Sequence, residues 1–165
     1  MSSSGRRKVS QPTPKALAVF MRRPPASAPP EQVIAHFVEV FSVIGSPGFP
    51  TARPELEERI GRWVRRAYNP AGTARQLVAV IASGDRRRLL HRITAPTLVI
   101  HGADDPLVPV EAGRDTAHAV PGAKLLVIDG MGHDLPDAVL PTLVDAIARH
   151  CRESAPVAGE AGRTR

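Results

Sequence analysis

Two short stretches of this chain hold residue types that can move protons. In HGADDPLVP, residues 101–109, Asp105 stands directly before a proline, five residues after an apolar run that ends at Ile100. In GMGHDLP, residues 130–136, His133 sits in a glycine-flanked loop, five residues after a second apolar run that ends at Ile128. A carboxylate against an imidazole holds the ring in one tautomer and stabilises the imidazolium that forms when the ring takes a proton. That is the work of the acid and base of a hydrolytic triad. Each residue also has an ordinary explanation, since Asp-Pro commonly starts a turn and a histidine in a glycine-rich loop is often a surface group. Their shared placement, each just beyond an apolar run, is what singles them out.

The runs themselves are TLVI at 97–100, entered through Pro96, and KLLVI at 124–128. Short, continuous and apolar, they read as strands buried on both faces of a parallel sheet. Neighbouring strands lie about 4.8 Å apart, and groups that do chemistry in open parallel sheets sit beyond the carboxyl ends of the strands. If the two runs pair, Asp105 and His133 emerge at the same edge. Residues 110–120 are expected to be the crossover helix. A last helix is expected at 136–150, with Leu140, Leu143, Val144 and Ile147 facing inward.

Upstream of residue 93 the pattern is helical and free of strands. Lys15–Arg22 makes about two turns between proline-rich flanks. Residues 31–44 place Val33, Phe37, Val40, Phe41 and Ile44 at helical spacing, and GSPGFP ends that helix. A helix over 54–68 groups Leu56, Ile60, Trp63, Val64 and Ala67. Another begins at Asn69-Pro70, a favourable cap followed by a first-turn proline, with Ala74, Leu77, Val78 and Ile81 as its inner face. The expected organisation is a flexible lead-in at 1–14, a helical region at 15–92, a strand–helix–strand–helix unit at 93–152 and a disordered tail at 153–165.

Composition narrows the function classes. The chain has 165 residues, 42% hydrophobic and 23% charged, with few aromatics at 4%, as in ordinary globular proteins. No run of about 20 apolar residues marks a membrane span. The opening MSSSGRRKVSQPTPK has no apolar core of a signal peptide, and Cys151 is the single cysteine; a cytoplasmic location is expected. The net charge of +6 is uneven: residues 1–92 hold 16 Lys/Arg against 6 Asp/Glu, and residues 93–165 hold 6 against 10. The basic residues are arginines scattered on helices among glutamates, with no zinc-finger spacing or stacking motif. They read as a solvated face rather than a nucleic-acid surface. The six histidines show no metal-binding spacing, so no metal site is expected from them.

The span from Arg92 to His150 resembles the C-terminal part of an α/β-hydrolase, where PTLVIHGADDPLVP and KLLVIDGMGHDLP match the family's acid-bearing and histidine-bearing strands in order and spacing. The resemblance implies an α/β fold in which Asp105 is the triad acid and His133 the general base. Asp104 is the neighbouring alternative, and Asp134 is a loop or capping residue. Residues 15–90, including NPAGTARQLVAVIASGDRR, resemble the helical cap of the proline-iminopeptidase-like and methylesterase-like branch. There Phe37, Phe41, Phe49, Trp63 and Tyr68 would supply core or pocket walls. The family's nucleophile is a serine in G-x-S-x-G, and none of the serines at 2, 3, 4, 10, 27, 42, 46, 83 and 154 has that setting. Ser46, in GSPGFP, comes nearest but fits a lid loop. The oxyanion loop is missing as well.

The resemblance therefore implies a partial hydrolase. Met1 is expected to be an internal methionine of a longer protein, and the chain alone to be inactive. Its small ester-like substrate would be turned over only by the complete enzyme. The alternatives are a non-catalytic interaction module that pairs its open strand edge with another chain or with itself, one half of a split hydrolase, and an arginine-rich nucleic-acid binder.

Overall fold

The prolines that crowd the first half of the chain start its helices. In the computed structural model, which describes residues 3–154, each of the first four α-helices has proline at its first or second position. They are α1 (Pro14–Met21), α2 (Pro30–Ile44), α3 (Arg53–Ala67) and α4 (Pro70–Ser83). The first turn needs no donor from those nitrogens, and the fixed φ of proline suits helix entry. Thr13 caps α1 by accepting from the Ala16 N–H, and Asn69 caps α4 by accepting from the Gly72 N–H at 2.8 Å. A single-turn helix, α5 (Arg87–Leu90), leads to the second half.

That half is β1 (Leu98–Gly102), α6 (Val110–Ala119), β2 (Lys124–Ile128) and α7 (Leu140–Ser154). The strands pair in parallel, Leu98 opposite Lys124 and Gly102 opposite Ile128. Their exit loops therefore leave the same edge side by side. β1 runs two residues further than the TLVI motif implies, into His101 and Gly102.

Three apolar clusters hold the fold, one within the helical half and two that tie the halves together. Val38 of α2 packs with Leu56 and Ile60 of α3, with Phe41 and Val64 alongside. Ala16, Val40 and Ile44 form a second cluster, which Leu107 from the loop after β1 joins. Met131, Val139 and Leu143 form a third, with Ile100 and Ile128 from the sheet and Phe49 from the loop after α2. Full burial of a Val or Ile side chain contributes about 1.5–3 kcal/mol. The two loops that follow the strands are thus anchored by the helical region as much as by the sheet.

Several expectations are corrected. The 1–14 segment, expected as a flexible lead-in, is tied to α6 near its described start. Ser4 is buried and donates to Asp115 of α6 at 2.5 Å, Arg6 pairs with the same carboxylate at 3.1 Å, and a 3-10 turn spans Arg7–Val9. The last helix starts at Leu140, not 136, behind a 3-10 turn at Asp137–Val139. Pro141 is the reason, since a proline is accepted in the first turn of a helix but its ring strikes the preceding turn of one already under way. The helix reaches Ser154, two residues into the expected tail; residues 155–165 lie outside those described.

The inner faces expected for α4 and α7 are only partly covered, with Leu77 partly buried and Leu143 buried. Val78 and Ile81 are 65% and 67% exposed, and Val144 is 62% exposed. Among the described residues no element packs along α4, and Leu143 is the one buried side chain of α7. Periodicity marks a face that needs cover without saying which part of the molecule supplies it. Of the α3 face, Leu56 and Ile60 are buried, whereas Trp63 is half exposed.

Candidate functional site

Asp105 is 4% exposed, and all three of its described hydrogen bonds are aimed. Its Oδ1 accepts from the backbone N–H groups of Leu107 and Val108 at 2.9 and 2.8 Å, a turn that Pro106 makes compact. Its Oδ2 lies 2.8 Å from His133 Nδ1. With both oxygens engaged the carboxylate cannot rotate away. The acceptor at Nδ1 assigns the ring proton there and leaves Nε2 with a free lone pair. The acid is sealed while the imidazole is 22% exposed, so the ring joins a buried charge to an accessible face.

Asp104, in the turn that follows β1, has different partners. Its carboxylate accepts from the Gly130 N–H at 2.9 Å, and its own N–H donates to the Met131 carbonyl at 3.0 Å. It pins the two exit loops together, and Asp105 alone of the two bonds His133. His101, fully buried at the end of β1, donates from Nε2 to the Val108 carbonyl at 2.7 Å and stands 3.7 Å from Asp105 Oδ2. It braces the Asp105 turn from within, a role the sequence reading did not assign.

The histidine loop is laced to the end of α2. The His133 N–H donates to the Ile44 carbonyl at 2.7 Å, one of the carbonyls a helix end leaves unpaired. The Gly48 N–H donates to the Gly130 carbonyl at 2.9 Å. Ser46 accepts from the Gly132 N–H at 2.9 Å and donates to Asp134 at 2.5 Å. Asp134 is a loop anchor, as expected for it. A Cβ on Gly132 would lie 2.3 Å from the Gly45 carbonyl oxygen and 2.7 Å from that of Ile44. Backbone cannot yield as a side-chain tip does. Gly132→Ala is therefore expected to destabilise the protein by about 1–3 kcal/mol, read as a lower urea midpoint at unchanged slope.

No described serine hydroxyl bonds the His133 ring. Ser42 and Ser83 donate to carbonyls of their own helices, Ser4 to Asp115 and Ser46 to Asp134.

The expected aromatic residues lie mainly in the helical region. Phe37 meets Tyr68 edge-on at 6.2 Å, and Phe41 meets Trp63 at 5.5 Å. Phe49 packs instead beside the histidine loop. A cavity of about 250 Å³ is lined by Phe20, Arg23, His36, Phe37 and Tyr68 among others. Burial, and then the nearby Arg23 charge, lowers the His36 pKa below 6.5. The unfolded chain then binds the proton more readily, so stability present above pH 6.5 falls as pH drops through that value towards the folded one. Chemical denaturation at pH 7.5 and pH 5 should show less acid loss in His36→Gln than in the parent.

Three arginines of α3 pair with glutamates one turn away, Arg53 with Glu57, Arg59 with Glu55 and Arg62 with Glu58. Among the described residues no helix is long and apolar enough to cross a membrane.

Against known proteins, residues 53–137, just over half of the chain, match the family model of the alpha/beta hydrolase fold. The chain is 31% identical over 126 residues to rhodomycin D methylesterase DnrP of Streptomyces peucetius, covering 74% of this chain and 41% of that protein. It is 29% identical over 107 residues to the pimeloyl-[acyl-carrier protein] methyl ester esterase of Vibrio cholerae, covering 62% and 42%. Among solved structures, the meta-cleavage product hydrolase CumD of Pseudomonas fluorescens superposes with a TM-score of 0.65 at 14% identity, over 93% of this chain and 54% of that one. A thermophilic esterase from Thermogutta terrifontis superposes with a TM-score of 0.60 at 26% identity, over 90% and 54%. The chain thus spans about two fifths of the length of these sequence relatives and about half of these solved chains.

Proposed function

The chain belongs to the α/β-hydrolase fold family, and from that premise we propose that it supplies the acid and base of a Ser-His-Asp triad that hydrolyses small-molecule esters. The observation that carries the reading is the pair itself: a sealed Asp105 carboxylate 2.8 Å from the Nδ1 of a partly exposed His133. In the complete enzyme a serine from a G-x-S-x-G elbow attacks the ester carbonyl. His133 Nε2 takes the serine proton, and Asp105 stabilises the imidazolium. His133 then passes that proton to the leaving alcohol, and water releases the acid from the acyl-serine by the reverse relay. The helical region over 15–92 is the cap on this site. The reaction needs no metal or organic cofactor, and we place it in the cytoplasm. The methylesterase names of two relatives favour methyl or similarly small esters.

The test is reconstitution. This chain would be co-expressed with the portion of the Streptomyces methylesterase that lies outside the match, and ester hydrolysis measured. Serine-dependent activity that disappears with His133→Ala supports the proposal. A soluble complex with no such activity defeats it and favours the second reading, a non-catalytic pairing module. That reading draws on the open outer edges of β1 and β2 and on the exposed Val78, Ile81 and Val144.

A further inference from the structure

Ser46 is 5% exposed, its hydroxyl is used both as donor and as acceptor, and the triad chemistry has no place for it. Its partners are the Gly132 N–H and the Asp134 carboxylate, the two residues on either side of His133. The N–H of His133 itself is held by Ile44, two residues before Ser46. Three consecutive residues of the histidine loop are therefore fixed to two at the end of α2, Ile44 and Ser46.

We propose that Ser46 is a positioning residue for His133: by clamping both neighbours of the histidine, it keeps the imidazole turned towards Asp105. The inference rests on His133 as the base proposed above. A loop with glycines at 130 and 132 has wide backbone freedom, and the Asp105 contact constrains only the ring. The acceptor of the Ser46 hydroxyl is a carboxylate, and such charge-assisted hydrogen bonds are roughly twice as strong as neutral ones. Alanine at 46 would leave the Gly132 N–H and the Asp134 carboxylate without this partner, and of residues 132–134 only His133 would still be tied to the end of α2.

The experiment is NMR of the histidine ring protons in the chain as it stands. The parent should show a slowly exchanging Nδ1–H resonance for His133. Ser46→Ala should speed its exchange by about tenfold, the weight of one charge-assisted hydrogen bond. Asp134→Asn keeps an acceptor for the hydroxyl and should restore slow exchange to within about twofold of the parent, well short of that loss. Val38→Ala, a core truncation between α2 and α3, controls for general loosening. If Val38→Ala speeds exchange as much as Ser46→Ala, or if Asp134→Asn behaves like Ser46→Ala, the positioning role is overturned. Should Ser46→Ala not fold, Asp134→Ala against Asp134→Asn reads the same bond. Asp105→Asn separates the two ideas. If it leaves the resonance unchanged, the acid–base pairing itself fails; if it removes the resonance while Ser46→Ala does not, only the clamp fails.

Discussion

Purified alone, the 165-residue chain is expected to hydrolyse an activated ester such as p-nitrophenyl acetate no faster than buffer. In a well-studied serine protease, loss of the serine or of the histidine alone costs roughly a million-fold in turnover, and what remains comes from the oxyanion hole and substrate binding. The sequence contains no G-x-S-x-G serine and no oxyanion loop. The described hydroxyls nearest in kind to a nucleophile are committed elsewhere, Ser46 most completely, as donor to Asp134 and acceptor from Gly132. Addition of a serine-bearing partner that completes the sheet should raise serine-dependent turnover towards that million-fold, and His133→Ala in the complex should remove it again. Hydrolysis by the lone chain that a serine-directed phosphonate abolishes would overturn this expectation.

Asp105→Asn is the second large effect. The asparagine oxygen can still accept from the Leu107 and Val108 N–H groups, so the turn survives. Its amide nitrogen, however, then faces His133 Nδ1 as a donor. The ring must offer a lone pair at Nδ1 and carry its proton at Nε2, where the base needs to be free. In a serine protease triad this change leaves the geometry intact and drops turnover by about 10⁴ through the wrong tautomer, and a similar loss is expected in the reconstituted enzyme. Asp105→Ala should behave differently. It orphans two partly buried N–H groups and is expected to cost about 2–3 kcal/mol of stability on top of the lost activity. Comparing turnover with the urea midpoint in both variants separates the chemical role from the structural one. Equal turnover for Asp105→Asn and the parent would remove Asp105 from the mechanism.

Asp105 and His133 were legible because the signals that place them are local. Each follows a short apolar run by five residues, and the pairing of those runs in register brings the residues together. The choice of Asp105 over Asp104 agrees with the contact to His133, and it depended on a proline at 106. The clamp at Ser46 was not legible, because it joins residues 88 apart and a serine in a proline–glycine loop carries no trace of its distant acceptor. The same blindness affects the helices. Periodicity located α4 and α7 and named their apolar faces, but burial is a property of neighbours, and beyond Leu143 most of those faces are exposed here. The start of α7 was missed for a reason present in the sequence, since Pro141 lay too far inside the expected helix to be tolerated.

The lacing of the histidine loop to the end of α2 also bears on the order of folding. The Asp105–His133 contact closes a span of 28 residues, whereas the Ser46 bonds close spans of 86 and 88. A threefold longer loop costs only about 1 kcal/mol more to close, but contacts of high sequence separation form slowly. Sheet, crossover helix and acid turn can assemble from residues 93–135 before the helical region docks. The backbone around the imidazole is then the last part to be fixed, and its bonds to Ile44 and Ser46 register that both halves of the chain have come together.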